Sequence, residues 1–86
     1  MQAVVSIQKV LNIKGEAILI GTVKSGTLGI GMTMSLNGMS LLVKTMEINR
    51  QRIEEANEGQ DIGFSLSGGD FDTINALTGT DVKFSE

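Results

Sequence analysis

The chain contains neither histidine nor cysteine, and these two absences exclude several kinds of chemistry. Histidine is the usual general base at neutral pH, and cysteine supplies thiolate nucleophiles, disulfides and many zinc sites. An enzyme built from this sequence would have to use carboxylates or lysine alone. A hydrolase using Asp70, Asp72 or Glu16 finds no matched acid and base in the sequence. We therefore expect a protein that is not an enzyme and that holds no cofactor or metal.

Proline is also absent, and the aromatic residues amount to three phenylalanines in 86 residues. The core therefore has to be built largely from valine, isoleucine, leucine and methionine. A chain of this length is enough for one domain with a single core. We expect one domain over residues 1–86, with room for one site at most.

Long apolar runs and targeting signals are missing as well. The first six residues contain no basic n-region, and no apolar run approaches the roughly 20 residues that a membrane span needs. Together with the absence of cysteine, these features lead us to expect a cytoplasmic protein with no membrane partner. The oligomeric state is left open.

Charge is present but unevenly spread along the chain. The net charge of −3 combines residues 1–46, with four lysines and one glutamate, and residues 47–86, with three cations and nine acids. An acidic total argues against tight non-specific binding to nucleic-acid backbones, so we do not expect DNA as a partner. The candidate RNA-binding or partner-binding residues are six cations that a barrel could gather on one face: Lys9, Lys14, Lys24, Lys44, Arg50 and Arg52. Scattered solubilising charge is an equally good interpretation.

The clearest structural signal is a series of short apolar segments separated by glycine. Glu16–Lys24 is an apolar, β-branched run typical of a buried strand, and we predict a tight turn after it at Ser25-Gly26. Met32–Leu36 alternates apolar with polar residues, and Asn37-Gly38 after it is a strong signal for a type I′ hairpin turn. Seven glycines are predicted to be structural turn residues: Gly15, Gly21, Gly26, Gly31, Gly38, Gly59 and Gly68.

Four further strands are predicted, at Val4–Leu11, Met39–Ile48, Asp61–Ser67 and Asp81–Phe84. In the first of them, the face that carries Ile7 and Leu11 is interrupted by Lys9, as in a strongly curved sheet. In Met39–Ile48 the alternation changes phase, which predicts a bulge near residues 44–46. In Asp61–Ser67 the inward residues are Ile62, Phe64 and Leu66, and the outward ones are Gly63, Ser65 and Ser67.

Two segments between the strands are less regular. Residues 49–60 fit either a short amphipathic helix or a loop, and we favour the loop because only Ile53 and Ala56 would form the apolar face of a helix. Residues 70–77 are expected to hold one irregular or 3₁₀ turn. Short strands with turn signals at these intervals predict an all-β fold, a small closed antiparallel β-barrel of six to seven strands.

Three other patterns have competing interpretations. Residues 21–27 have the glycine spacing of a phosphate-binding loop, but Thr27 stands where the lysine is required, so we favour a β-turn. The methionines could form an adaptable contact surface or fill the core, and core filling is favoured. Phe64 and Phe71 could stack on bases, but neither has basic neighbours in sequence, so core packing is favoured.

Two segments together resemble a known family. Residues 21–31 read G-T-V-K-S-G-T-L-G-I-G, and residues 56–68 read A-N-E-G-Q-D-I-G-F-S-L-S-G. In order and spacing they resemble the β-barrel second domain of translational GTPases such as elongation factor Tu and bacterial initiation factor two. The resemblance implies a closed β-barrel and a turn, a short strand around Ile53 and a loop within residues 49–60.

The resemblance also implies a function. In translational GTPases this barrel follows a nucleotide-binding domain and contacts the aminoacyl end of tRNA or the ribosomal small subunit. In elongation factor Tu an acidic pair and an aromatic residue lie near the aminoacyl end. By alignment these positions are Gln8, Lys9 and Leu11 here, so the scaffold matches the family while the amino-acid pocket does not.

Two functions follow from these observations. The first is a non-enzymatic, translation-factor-like barrel that binds RNA, in tRNA or the ribosome, or a ribonucleoprotein. The second is a protein-interaction module that binds a GTPase or another enzyme without nucleic acid, which the acidic composition and the changed pocket residues favour. Fold alone does not choose between them.

Overall fold

The computed structural model describes residues 2–86, which form eight β-strands and one short α-helix. In chain order they are β1 (Gln2–Ile13), β2 (Glu16–Gly29), β3 (Thr33–Leu36), β4 (Met39–Ile48), β5 (Gln51–Arg52), β6 (Glu55–Asn57), β7 (Asp61–Ser67), α1 (Phe71–Asn75) and β8 (Asp81–Ser85). All strand pairs are antiparallel.

Six of the strands close into a barrel. Neighbouring strands follow the order β1, β8, β3, β4, β7 and β2, and β2 pairs back to β1. Two short strands are added outside this ring, β5 on β4 and β6 on the final residues of β2. The prediction of a small closed antiparallel β-barrel is confirmed.

The long β1–β2 hairpin contains a bulge that changes which residues face the core. The register shifts between Ile7 and Lys9, so that Gln8 is the extra residue. Beyond the bulge Val10 is buried and Leu11 is 37% exposed. The prediction that Leu11 shares the face of Ile7 is therefore wrong, because a one-residue bulge exchanges the two faces of a strand.

The tight turn predicted at Ser25-Gly26 is also wrong. Strand β2 continues through both residues to Gly29, with a second register shift at the level of Val4 and Val5. Gly26 does have the positive φ expected of it, +74°, and a Cβ there would overlap the Gln2 carbonyl oxygen. Glycine is thus required at this position by a bulged strand and a close backbone neighbour.

Most of the other predicted turn glycines do have positive φ values, namely Gly15, Gly31, Gly38, Gly59 and Gly68. Gly21 differs, because it lies within β2, where a Cβ would overlap the Ser6 carbonyl oxygen. The prediction of a turn at Gly21 is wrong. Position 21 requires glycine because the backbone of β1 approaches β2 closely there.

The β3–β4 hairpin matches its prediction closely. Asn37 and Gly38 have φ values of 51° and 81°, as a type I′ turn requires, and Leu36 pairs with Met39 across them. Strand β4 covers Met39–Ile48, and its register against β7 shifts at Lys44. The predicted bulge is therefore confirmed.

Residues 49–60 contain no helix, so the loop interpretation is confirmed. Asn49 and Arg50 form a second left-handed turn, with φ values of 53° and 65°, and lead into β5. Ile53 then separates β5 from β6 and is half-buried against the core.

Helix α1 is a single turn that follows the glycine pair ending β7. Asp70 is its N-cap, and the Asp70 Oδ1 atom accepts a hydrogen bond from the Thr73 backbone N–H at 2.8 Å. Hydrogen bonding to Thr73 lowers the pKa of the Asp70 carboxyl below its ordinary value of 3.8. The turn buries Ile74, while Phe71 packs half-buried against the core.

The core is built from aliphatic residues and methionines, as the composition predicts. Met32, Met34 and Met46 are buried, which confirms core filling, whereas Met39 is 42% exposed near the β3–β4 turn. Phe64 on β7 and Phe84 on β8 are both buried and meet edge to face, with ring centroids 5.8 Å apart and planes at 79°. This pair connects two strands that are not neighbours in the sheet.

Candidate binding surface

An apolar patch lies on the outside of the barrel, across β1, β2 and β7. In β2, Ile18 pairs with Leu11 and with Ser65, and Ile20 pairs with Lys9 and with Gly63. Directly paired residues of an antiparallel sheet share a face. We call the following five residues the outer patch: Leu11, Ile13, Ile18, Ile20 and Gly63. The patch is accessible, because Ile13 is 49% exposed and Leu11 is 37% exposed.

Gly63 makes a depression in the outer patch. A Cβ at position 63 would lie 3.5 Å from Ile20 Cδ1, 3.8 Å from Glu47 Cγ and 3.9 Å from Ile18 Cγ2. Two cavities of about 250 Å³ each reach Gly63, one bordered by Ile18 and Arg52 and the other by Ile20 and Arg50. Gly63 thus borders both cavities, and each cavity has one arginine in its lining.

Beneath the patch lies a hydrogen-bonded pair of hydroxyl groups, one buried and one partly buried. Ser65 faces outward, as its place in β7 predicts, yet it is 0% exposed. Its Oγ atom lies 2.6 Å from Thr45 Oγ1 on the neighbouring strand β4. The two hydroxyl groups form a hydrogen bond with each other. Ser65 can therefore be buried next to Ile18 without leaving its hydroxyl unpaired.

Five of the six predicted cations lie around the outer patch. Lys9 pairs with Ile20, Lys14 lies in the β1–β2 turn next to Ile13, and Lys44 lies in the β4 bulge. Arg50 and Arg52 border the two cavities. Lys24 is separate, since it lies in the β2 bulge opposite Val4 and Val5, toward the other end of the β1–β2 ladder.

Acidic residues are interspersed among these cations. The Lys44 Nζ atom lies 2.7 Å from Glu16 Oε2, with both side chains about half exposed to solvent. Glu47 pairs with Arg52 in the β4–β5 ladder, and Asp61 borders the same cavity as Arg50. The surface therefore combines an apolar centre with a mixed rim in which cations outnumber acids.

Of the three positions that the resemblance aligns with the amino-acid pocket of elongation factor Tu, Leu11 belongs to the outer patch, and Gln8 and Lys9 lie beside it. Gln8 is the bulge residue, and its Nε2 atom donates to Thr22 Oγ1 at 3.0 Å. Thr22 Oγ1 donates in turn to Asp61 Oδ1. Lys9 and Leu11 follow on the outer face, where they contribute one cation and one aliphatic side chain.

The outer patch is not among the sites predicted from the sequence. The first strand is predicted to end at Leu11, before Ile13, and Leu11 is predicted to share the face of Ile7. The signal that could have revealed it is the pair Ile18 and Ile20, which occupy the outward positions of β2 opposite Leu19 and Ala17. Apolar residues on both faces of a strand indicate that both faces are covered, either by other parts of the chain or by a partner.

Other candidate sites have structural explanations. Residues 21–27 lie inside β2 and lead into no helix, so the β-turn that was favoured over a phosphate-binding loop is not found either. Asp70, one of the carboxylates considered for a hydrolase, is the N-cap of α1. Within residues 2–86, no three His, Cys, Asp or Glu side chains come together in a way that could hold a metal ion. No helix in that range is both long and apolar enough to cross a membrane.

Comparison with known proteins gives a consistent family. A family model described as elongation factor Tu domain 4 matches residues 2–82. The chain is 36% identical over 67 residues to elongation factor 1-alpha of Desulfurococcus mucosus, covering 74% of this chain and 15% of that protein.

A solved structure shows the same fold. The apo form of translation elongation factor SelB from Methanococcus maripaludis superposes with a TM-score of 0.79 and 20% sequence identity, covering 100% of this chain and 18% of that one. The chain thus spans less than a fifth of each of these two proteins. The predicted resemblance to a β-barrel domain of translational GTPases is confirmed. The matching family model numbers this domain 4, whereas the resemblance seen in the sequence is to the second domain.

Proposed function

Because this chain belongs to the elongation factor Tu domain 4 family of translation-factor β-barrels, we propose that it is a non-enzymatic module that binds RNA through the outer patch. The proposed RNA partner is tRNA or ribosomal RNA, and the proposed location of the protein is the cytoplasm. The observation that supports the proposal is the grouping of Lys9, Lys14, Lys44, Arg50 and Arg52 around one apolar surface.

The charged and apolar residues of this surface are better suited to the end of a nucleic acid than to a long stretch of its phosphate backbone. Five cations can neutralise a few phosphates, while Glu16, Glu47 and Asp61 oppose extended contact with a polyanion. The apolar centre around Gly63 can pack against a base or another flat group. We therefore expect moderate affinity that depends on salt, with both electrostatic and apolar contributions.

The test is a titration of the purified chain with tRNA and with ribosomal subunits at several salt concentrations. We expect Lys9→Gln, Lys44→Gln and Arg52→Gln each to weaken binding several-fold and to reduce the slope of log K against log salt by about 1. Lys24→Gln is the matched comparison, because it removes the same charge away from the outer patch. We expect it to change the affinity least.

Three outcomes would count against the proposal. Binding that is undetectable at low salt would reject it. Binding that none of the cation substitutions alters would also reject it, since the contact would not use these residues. If Lys24→Gln lowered the affinity as much as Lys44→Gln does, the outer patch would not be the binding surface.

A second candidate is a protein-interaction module, and the exposure of Ile13 and Leu11 favours it. Apolar side chains on the outside of a barrel are typical of protein contacts. In this case Ile13→Asp would abolish binding to a GTPase or enzyme partner, while Lys44→Gln would leave it nearly unchanged. RNA that co-purifies and is lost with Lys44→Gln would exclude this alternative.

A further inference from the structure

A further cavity adjoins the outer patch across Arg52. We call it the far cavity; it has a volume of about 300 Å³, and its lining includes Ile30, Lys44, Arg52, Ile53 and Glu54. The cavity of the outer patch that is bordered by Ile18 and Arg52 is called the near cavity. Thr45, Met46 and Arg52 line both cavities, so the two are adjacent.

The two cations of the far cavity lie on its side toward the outer patch. Arg52 also lines the near cavity, and the Lys44 Nζ atom lies 2.7 Å from Oε2 of Glu16, another residue of the near cavity. Both side chains of this ion pair are about half exposed. Exposed ion pairs contribute little stability, so Lys44 can exchange Glu16 for a phosphate group. The boundary between the two cavities therefore holds two accessible cations.

The other side of the far cavity is apolar and has one acidic group. Ile30 is 43% exposed, and Ile53 is half-buried against the core. The Ile30 backbone N–H donates to the Glu54 carbonyl oxygen at 3.0 Å, which holds the turn between β2 and β3 beside residues 53 and 54. A flat apolar group can pack on the two isoleucines, while the Glu54 carboxylate can accept a hydrogen bond from an amino or hydroxyl group. A nucleoside offers all of these groups.

The outer patch, the two cations and the far cavity thus follow one another along one surface. Single-stranded RNA has the same alternation of base, phosphate and base, and its unpaired bases are free to leave the stack. We infer that the far cavity holds the nucleotide adjacent to the one on the outer patch, with the connecting phosphate at Lys44 and Arg52. The inference rests on the proposed function, and it identifies the ligand as an unpaired RNA end of at least two nucleotides.

The experiment is an NMR titration of the isotope-labelled full chain with adenosine monophosphate and with the dinucleotide ApA. We expect ApA to bind about tenfold more tightly, because its second nucleoside occupies a second site on the same molecule. The amide signals of Gly63, Ile30 and Ile53 should follow one common dissociation constant for ApA, since one ligand contacts both cavities. Inorganic phosphate should shift the signals of Lys44 and Arg52 and leave that of Ile30 nearly unchanged.

The variant Ile30→Ser tests the far cavity directly. The Ile30 side chain is exposed and its hydrogen bond to Glu54 uses only backbone atoms, so the variant should keep its fold, which circular dichroism checks. We expect Ile30→Ser to weaken ApA binding about fivefold through the lost apolar contact. Met39→Ser is the matched control, because Met39 is 42% exposed and borders neither cavity. It should change the affinity for ApA less than about twofold.

Three results would overturn the inference: ApA that binds no more tightly than adenosine monophosphate, an Ile30 signal that ApA leaves unchanged, or equal effects of Ile30→Ser and Met39→Ser. A protein partner that shifts the Ile30 signal where ApA does not would make the far cavity a protein contact instead. In each of these cases, tRNA binding that Lys9→Gln weakens would still support the proposed function, since Lys9 does not line the far cavity. A chain that binds neither tRNA nor ApA would reject both proposals.

Discussion

Gly21 in β2 lies so close to Ser6 in β1 that a methyl group at position 21 would overlap the Ser6 carbonyl oxygen. Backbone atoms cannot move aside as a flexible side chain can. We therefore expect Gly21→Ala to lower the free energy of unfolding by about 2–3 kcal/mol. The measurement is urea denaturation followed by circular dichroism.

Gly63→Ala is the control for this substitution. The nearest atom to a Cβ at position 63 would be Ile20 Cδ1 at 3.5 Å, an ordinary contact with a side chain. We expect a change in stability of less than about 1 kcal/mol, with the gain in β-propensity offsetting any crowding. Equal losses for the two alanine variants would show that close backbone packing is not what requires glycine at position 21.

The hydroxyl pair beneath the outer patch predicts coupling between two strands. Ser65→Ala leaves Thr45 Oγ1 without its partner 2.6 Å away, and should cost about 1–3 kcal/mol. Thr45→Val removes the other hydroxyl with little change in shape. In a double-mutant cycle the combined variant should be more stable than the sum of the single losses implies. Additive losses would mean that the hydroxyls do not depend on each other.

The edge-to-face contact of Phe64 and Phe84 predicts a large loss on truncation. Phe84 is 0% exposed, so Phe84→Ala should cost about 3–5 kcal/mol through lost contacts and the cavity left behind. Phe71→Ala is the comparison, because Phe71 is half-buried, and it should cost clearly less. Denaturant midpoints of the two variants distinguish these expectations. A smaller loss at position 84 would show that the barrel can collapse around the gap.

The N-cap of α1 predicts a dependence on pH. Hydrogen bonding holds the pKa of Asp70 below its ordinary value of 3.8, so the folded state favours the charged form. The resulting stabilisation is fully present above that ordinary value and is lost as the pH falls through the lower folded value. We expect Asp70→Ala to lower the Tm at neutral pH, and the difference from the wild type to shrink in strong acid.

Asp72→Ala is the matched control, because Asp72 lies in the first turn of α1 but does not cap it. Its effect on the Tm should be smaller at neutral pH. A Tm difference for Asp70→Ala that stays constant from neutral pH into strong acid would contradict ionised capping by Asp70.

Local signals in the sequence were sufficient for much of the fold. The Asn37-Gly38 turn, the bounds of β4 and the bulge at Lys44 follow from turn chemistry and alternation within a few residues. The continuation of β2 through Gly26 was not accessible in this way. It depends on the close approach of Gln2, a residue far away in sequence.

The candidate binding surface was predictable only in part. The six cations could be named from composition, but their grouping depends on barrel closure, which places Arg50 and Arg52 beside residues of β2 and separates Lys24 from the rest. The exposed side chains of Leu11 and Ile13 depend on the bulge at Gln8, which no local pattern in β1 specifies. The grouping of the cations and the exposure of Leu11 and Ile13 are thus set by long-range strand pairing, which local propensity does not specify.

The position of β1 between β2 and β8 has a consequence for synthesis of the chain. As β1 and β2 emerge from the ribosome they can form a hairpin at once, but β8, the second neighbour of β1, is made after every other strand of the barrel. Until residues 81–85 appear, the far edge of β1 stays open and the apolar interior is not sealed. We expect the nascent chain to need a chaperone or rapid completion during that interval, and its folding rate to be set by this final docking.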